Sequence, residues 1–143
     1  MESGIFGCPP QWLPFLPPGV RCPRSECLHG SAWELLALTP EGVRRISGRA
    51  VRCRRLLLPG DCPAPIPAHS VISYGLSPRD SLTLSGLREP VLCIQRTLPG
   101  PDGAPLEPQE IPLPSLPGPP EAVLGLLGLR LLLMPLTKAL FLE

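Results

Sequence analysis

Proline is the residue that most limits how this chain can fold. It occupies 23 of the 143 positions, and each proline lacks an amide proton and clashes with a preceding helical turn. Six prolines lie between residues 9 and 23, so we expect neither a helix nor a paired strand to run through that stretch. Residues 1–30 are therefore predicted to form an irregular tail, and Pro-rich linkers are predicted at residues 59–69 and 114–120.

The remaining composition allows one small folded unit. Apolar residues make up 43% of the chain and charged residues only 17%, which is the opposite of a chain kept unfolded by charge. The length suits one domain, predicted over residues 31–143. A net charge of +1 argues against a globally basic nucleic-acid binder.

Two short helices are predicted at the start of this domain. Ser31 and Glu34 have the capping-box spacing, in which each side chain satisfies a free amide at a helix start, and this predicts a helix over Ala32–Leu38. Thr39 followed by Pro40 repeats the start signal for a second helix. That helix is expected to stop near Gly48.

Strand patterns dominate the next part of the chain. Apolar runs and period-two alternation, each bounded by turn residues, predict strands. Pro99–Gly103 carries strong turn signals, so the segments on either side are predicted to form a β-hairpin. Pro108 and Pro112 place the second arm of this hairpin at a sheet edge. The predicted strands lie around Leu56–Leu58, Val71–Tyr74, Leu82–Ser85, Pro90–Leu98 and Leu106–Leu113.

An apolar helix is predicted within residues 121–142. Ala122–Met134 is shorter than the roughly 20 residues that cross a bilayer, and Arg130 stands in its middle. We therefore expect this helix to pack on the sheet, with a peripheral membrane anchor as the alternative. The expected fold is a small α/β (or α+β) two-layer domain, with a four- to five-stranded sheet that includes the hairpin.

Six arginines lie between Arg44 and Arg55. Guanidinium groups form paired hydrogen bonds with oxyanions, so the anion-binding candidates are Arg49, Arg52, Arg54 and Arg55. The alternative is a solvated strand and helix surface, because no Gly-rich phosphate loop or interleaved aromatic accompanies them. Strand alternation predicts Arg52 and Arg54 on one face and Arg55 on the other.

A second candidate site is the polar loop that contains Asp80 and Ser81. The alternative is that these side chains only bond the local backbone, as is common in turns. No catalytic motif, cofactor motif or metal-ligand spacing is recognised elsewhere: Cys22, Cys27 and His29 lack the paired knuckles of zinc sites. We therefore expect no enzyme activity, no cofactor and no metal.

The six cysteines raise the question of whether the protein folds in an oxidising or a reducing cellular compartment. The first residues lack the basic start and apolar core of a secretory signal, so a reducing, cytoplasmic compartment with free thiols is predicted.

Two resemblances rest on the central segment. Val71–Leu76, followed by Asp80 and the alternating strand to Leu87, resembles a core passage of the Mur ligases. This resemblance implies an α/β nucleotide fold, but the ATP loop and the metal-binding acidic residues of those enzymes have no counterpart here. The same segment, with Gln95–Arg96 and Glu107–Pro112, is similar to small uncharacterised proteins of Clostridia-type bacteria.

These observations predict a bacterial, cytoplasmic, non-enzymatic domain that binds an unknown protein partner. The candidate surfaces are the sheet edge at Leu106–Leu113 and the arginine cluster at Arg44–Arg55. Two alternatives remain, a peripheral membrane protein anchored by residues 121–142 and an anion or nucleic-acid binder that uses the arginines.

Overall fold

The computed structural model describes residues 2–30, 32–46, 51–86 and 88–142. The strands are β1 (Glu2–Phe6), β2 (Ala32–Leu38), β3 (Arg52–Pro59), β4 (Ala68–Tyr74), β5 (Leu82–Ser85), β6 (Val91–Ile94), β7 (Leu98–Pro99), β8 (Pro105–Leu106) and β9 (Gln109–Pro112). The helices are α1 (Pro40–Arg45), α2 (Leu124–Leu133) and α3 (Leu136–Ala139). Short 3₁₀ segments lie at Pro10–Phe15, Ser25–Gly30, Pro101–Gly103 and Pro120–Ala122.

Seven strands form one mixed sheet in the order β1-β2-β3-β4-β5-β6-β9. Strands β1 to β5 run parallel, whereas β6 is antiparallel to both of its neighbours, β5 and β9. The two parts join where Tyr74 of β4 pairs with Leu82 of β5, and β7 and β8 form a separate ribbon. The predicted α/β class is confirmed, with a larger sheet than the four or five strands expected.

The chain winds across the parallel strands in one direction, and this order determines what covers each face. Right-handed crossovers between successive neighbouring strands lie on the same side of a sheet. Accordingly, Ile46 at the end of α1 and Ile66 in the β3–β4 connection pack on the face that carries Leu36, Leu56 and other residues of one core cluster. The opposite face is covered in part by the β1–β2 connection around Trp12, and the rest of its cover comes from elsewhere in the sequence.

Helix α2 covers that opposite face. Every residue from Leu124 to Leu132 is buried, and the helix packs on a core that includes Leu35, Leu57 and Tyr74. Gly125 lets the helix approach closely, because a Cβ there would lie 2.9 Å from the Tyr74 ring. The expectation that a C-terminal apolar helix packs on the sheet is confirmed. Among the described residues, no helix has the length and apolar character needed to cross a bilayer.

The helix predicted over Ala32–Leu38 is wrong, because this segment is strand β2. Leu35 to Leu38 are all buried, with alternate residues packing into the two core clusters. A continuous apolar run is typical of a parallel strand that is covered on both faces. Burial on two faces therefore outweighs the local capping-box signal at Glu34.

The prediction of an irregular tail over residues 1–30 is also wrong at its beginning. The first proline is Pro9, which leaves Glu2–Phe6 free to form an edge strand beside β2. Arg21 covers the outer edge of β1: its main chain accepts from the Ile5 amide and donates to the Ser3 carbonyl. Trp12, in the following 3₁₀ segment, is buried in the core under α2.

Helix α1 begins as the sequence predicts. The Thr39 hydroxyl accepts a hydrogen bond from the Gly42 amide at 3.1 Å and donates one to the Gly7 carbonyl at 2.7 Å. Gly42 lies against the end of β1, where an added Cβ would be 2.1 Å from the Phe6 carbonyl oxygen. The predicted stop at Gly48 lies outside the described residues.

The predicted β-hairpin and its edge position are confirmed. Strand β9 pairs with β6 and forms the end of the sheet, and β7 and β8 continue the same hairpin towards its turn. The Leu113 amide donates to the Pro90 carbonyl, so by antiparallel alternation Gln109 and Ile111 also bond β6. The outward amide positions are then Pro108, Glu110 and Pro112, and of these only Glu110 has an N–H.

Arg130 is a buried cation in the middle of α2, only 7% exposed. Its guanidinium donates to the main-chain carbonyls of Ala139, Lys138 and Phe141 at 2.7, 3.1 and 3.0 Å, and to that of Phe15. Burial lowers the pKa of this side chain. One side chain thus ties α2 both to the turn that contains α3 and to the N-terminal segment.

Replacement of Arg130 should destabilise the protein strongly. In Arg130→Met, buried carbonyls lose a charged donor, and the expected loss is about 3 kcal/mol of unfolding free energy. Arg130→Lys should lose less, because an ammonium retains the charge but not the planar fork. Urea denaturation measures both variants, with the exposed Arg88→Met as the control. A loss below about 1 kcal/mol for Arg130→Met would contradict this role.

The buried Cys53 thiol should make stability depend on pH in alkali. Burial raises its pKa from 9.0 to about 11, so the folded state holds this proton more tightly than the unfolded chain does. The contribution of this pKa difference to the free energy of unfolding is complete below pH 9 and is lost as the pH rises towards 11. Denaturation midpoints measured across this range should fall less steeply in Cys53→Ala than in the wild type, whereas the exposed Cys27→Ala should follow the wild type.

Candidate anion-binding cleft

Arg54 and Arg55 of β3 lie on either side of one carboxylate, that of Glu34 in β2. The Arg54 Nη1 is 3.5 Å from Glu34 Oε2, and the Arg55 Nε is 4.0 Å from Glu34 Oε1. Parallel pairing brings these side chains together, because Leu35 is opposite Arg55 in the register of the two strands. Arg49, the first of the predicted arginines, lies outside the described residues.

Arg52 does not join this group. It lies beside a different depression, with Val51 and Cys53, whereas consecutive Arg54 and Arg55 line the same cleft. The expected alternation, with Arg52 and Arg54 on one face and Arg55 on the other, therefore does not describe this strand. The sheet is irregular here: the register of β1 on β2 shifts between Glu2 and Ser3, opposite Glu34.

The cleft has a volume of about 520 Å³. Strand β4 contributes the exposed His69 and, beside it, Ser70 to its wall. The turn between β7 and β8 forms the opposite rim and carries Asp102, which makes no ion pair with a described residue. The cleft is lined by Glu34, Arg54, Arg55, His69, Ser70, Pro99–Gly103, Leu132 and Leu133.

The Arg55 guanidinium is held in place but incompletely bonded. Its side chain is 17% exposed, and Nη1 donates to the Pro99 carbonyl at 3.4 Å. Its Nε is buried and has no hydrogen-bond partner among the described residues. A buried donor without a partner is rare in folded proteins, and a guanidinium is suited to a planar oxyanion. This end of the sheet can therefore accept a carboxylate or phosphate group.

Sequence patterns did not indicate Glu34, His69 or the Pro99–Gly103 turn as parts of this cleft. The sequence predicts Glu34 in a helix cap and His69 in a linker, whereas Glu34 belongs to β2 and His69 to β4. Their meeting depends on strand register and on the position of the hairpin. The one available signal was the pair Arg54–Arg55 itself.

Asp80 and Ser81, the predicted loop candidates, lie at the other end of the parallel strands. Asp80 is 4% exposed, and its carboxylate accepts from the Ser77 amide at 3.1 Å. The Ser81 amide donates to the Ser73 hydroxyl at 3.1 Å, and its own hydroxyl accepts from Arg96 at 3.2 Å. The Asp80 bond is the local backbone contact given as the alternative, whereas Ser81 bonds the side chains of Ser73 in β4 and of Arg96.

Two glycines at the ends of β3 and β4 make room for the Asp80 carboxylate. A Cβ on Gly60 would lie 1.6 Å from Asp80 Oδ1, and one on Gly75 would lie 2.5 Å from Oδ2. The neighbouring cleft, of about 630 Å³, also carries the carboxylates of Asp61 and Glu121. Among the described residues, no three His, Cys, Asp or Glu side chains are placed to hold a metal ion.

Comparisons with protein-family models, with curated proteins and with solved structures found no match for this chain. The resemblances of Val71–Leu87 to the Mur ligases and to small Clostridia-type proteins therefore stay predictions.

Asp80 should be packed so tightly that neither flanking glycine tolerates a methyl group. Gly60→Ala is expected to cost about 2 kcal/mol of unfolding free energy, because the added carbon overlaps the carboxylate. Chemical denaturation measures the loss, with Gly118→Ala as the control, since a Cβ there meets nothing within 4 Å.

The same overlap predicts coupling between the two positions. In an Asp80→Ala background, Gly60→Ala should lose much less stability than it does in the wild type. Equal losses in both backgrounds would show that the methyl group strains the backbone rather than the carboxylate.

Proposed function

We propose that this protein is a non-enzymatic binding domain that holds a carboxylate of an acidic protein partner between Arg54 and Arg55. The observation that carries the proposal is the buried Arg55 Nε without a hydrogen-bond partner. Two guanidinium groups share one carboxylate, Glu34, at 3.5 and 4.0 Å. A second carboxylate would bond the exposed Arg54 side chain and the terminal nitrogens of Arg55, because the Arg55 Nε itself is closed to solvent.

Several features favour an acidic protein segment over a nucleic acid. The net charge is +1, and the cleft contains two arginines rather than an extended basic surface. None of its lining residues is Phe, Tyr or Trp, so bases would find no stacking partner. A volume of about 520 Å³ suits a few side chains of a peptide.

The open edge of the sheet is the less favourable surface for a partner. A strand that joined β9 would need outward N–H groups, but Pro108 and Pro112 lack them, which leaves Glu110 between two gaps. Prolines at such positions are typical of edges that avoid pairing. Because of these missing N–H groups, the arginine cleft is a more favourable surface for a partner than the Leu106–Leu113 edge.

The membrane alternative has less support than the cleft. Its anchor would be residues 121–142, but α2 buries its apolar side chains against the sheet, which leaves the exposed Phe141 as the main apolar contact. The reducing cytoplasm expected from the sequence stays part of the proposal, together with a bacterial source.

Titration of the full chain with a fluorescein-labelled hexaglutamate peptide tests the proposal through fluorescence anisotropy. Arg54→Ala and Arg55→Ala should each weaken binding about tenfold, which corresponds to about 1.4 kcal/mol. Arg52→Ala is the matched control, two and three positions away on the same strand but outside the cleft, and should change binding less than about twofold. Added salt should weaken the binding of the peptide to the wild-type protein.

Glu34→Gln is expected to strengthen peptide binding, in contrast to the arginine variants. This variant removes the carboxylate that competes with the ligand, so it should bind the peptide more tightly than the wild type does. Equal losses of peptide affinity in Arg52→Ala, Arg54→Ala and Arg55→Ala would contradict specific binding in the cleft. Stronger binding of a single-stranded DNA probe than of the peptide would favour the nucleic-acid alternative.

A further inference from the structure

The arginine cleft carries a second carboxylate, which the proposed function does not use. Asp102 lies in the turn between β7 and β8, is exposed and lines the cleft together with Arg54 and Arg55. It forms no ion pair with any side chain in the part of the chain that the structure describes. The rim opposite the arginines therefore has a negative charge that is open to a ligand.

The turn presents Asp102 in an unusual backbone conformation. Its φ and ψ are 58° and 23°, and it is the one residue other than glycine with a positive φ among the described residues. The Gly100 amide donates to the Ala104 carbonyl at 2.9 Å, and the Ala104 amide donates to the Pro101 carbonyl at 3.2 Å. Glycine would adopt this conformation with less strain. Because strained residues are concentrated at ligand sites, this backbone supports a role for the carboxylate.

The formal charges of the cleft balance, but they are separated in space. Arg54 and Arg55 contribute two positive charges, and Glu34 and Asp102 contribute two negative ones. Glu34 lies between the arginines, within 4.0 Å of each. A ligand with only negative charges would be attracted by the arginines and repelled by Asp102. A ligand with one negative and one positive group would be attracted by both sides.

We propose that the cleft binds a segment of a protein partner in which a lysine or arginine stands close to the acidic residue. The acidic side chain lies on Arg54 and Arg55, and the cationic side chain lies on Asp102. This inference rests on the proposed function and specifies the partner that the cleft selects. Two opposite charges fix the direction of the bound segment, and the repulsion by Asp102 disfavours purely acidic segments.

The apolar lining of the cleft suits such a segment. Leu132 and Leu133 at the end of α2 and the prolines of the Pro99–Gly103 turn lie along the same cleft. A lysine or arginine side chain can place its methylene groups on apolar surface while its charged end reaches a carboxylate. A nucleic acid offers phosphates but no cation for Asp102.

The test compares three fluorescein-labelled hexapeptides by fluorescence anisotropy with the full chain. One is hexaglutamate, one alternates Glu and Lys, and one has the order Glu-Glu-Lys-Lys-Glu-Lys, which also places Lys two residues after Glu. At least one mixed peptide should bind about threefold more tightly than hexaglutamate. General attraction to a protein of net charge +1 would give the opposite order.

Asp102→Asn tests the role of the carboxylate without changing the turn, because asparagine also adopts the left-handed conformation. This variant should bind the mixed peptide more weakly and hexaglutamate more tightly, so the preference for the mixed peptide should disappear. Asp61→Asn is the matched control. Asp61 is also exposed but lines the other cleft, so this variant should keep the preference of the wild type.

The arginine variants separate failure of this inference from failure of the proposed function. If Arg54→Ala and Arg55→Ala weaken binding of all three peptides but Asp102→Asn keeps the wild-type preference, the arginine cleft stands and the role of Asp102 is overturned. Tighter binding of hexaglutamate than of both mixed peptides by the wild type would also overturn this role. If neither arginine variant weakens binding of any peptide, the proposed function fails and this inference fails with it.

Discussion

The hydrogen bonds of Arg130 are the interaction on which the assembled fold most depends. A guanidinium inside an apolar helix would be severely destabilising if it were not bonded, and here it donates to four carbonyls from two distant parts of the chain. No carboxylate among the described residues forms an ion pair with it. The guanidinium bonds the carbonyls of Lys138, Ala139 and Phe141 at and just after the end of α3, and through the Phe15 carbonyl it also holds the segment after β1 against α2.

The two ends of the parallel strands carry polar groups that differ in their hydrogen bonding. This difference distinguishes a structural group from a candidate binding group. At the carboxyl ends, Asp80 is enclosed by glycines and bonded to the Ser77 amide. At the amino ends, Arg55 is held by Pro99 but keeps a buried Nε without a partner. Asp80 is buried and Arg55 is half-buried, and the completeness of their hydrogen bonding distinguishes their roles.

The elements that were predictable from the sequence have strong local signals. Thr39 before Pro40 marks a helix start by its own chemistry, and the alternation around Leu82 and Leu84 marks a strand. By contrast, Ala32–Leu38 contains good helix formers and a capping box, and only burial on both faces makes it a strand. The C-terminal helix was predictable because its apolar run is too short to cross a bilayer and contains Arg130, which favours packing on the sheet.

The arginine cleft could be predicted only in part. Arg54 and Arg55 were identified because arginine has a specific affinity for oxyanions. Their meeting with Glu34 depends on the parallel register of β3 on β2, and the segment that forms β2 has the local signals of a helix. Local patterns carry no information on this register, because it is determined by the pairing and packing of segments that are distant in sequence.

The sequential order of the strands has a consequence for synthesis on the ribosome. Each strand of the sheet pairs with the one made before it, apart from the short β7–β8 ribbon, so pairing can follow the emerging chain. Helix α2 follows every strand of the sheet in the sequence, and until it has left the ribosome the face that it covers is shielded only by the segment around Trp12. The nascent sheet therefore exposes an apolar surface after all its strands have been made, and termination before α2 would release an aggregation-prone sheet.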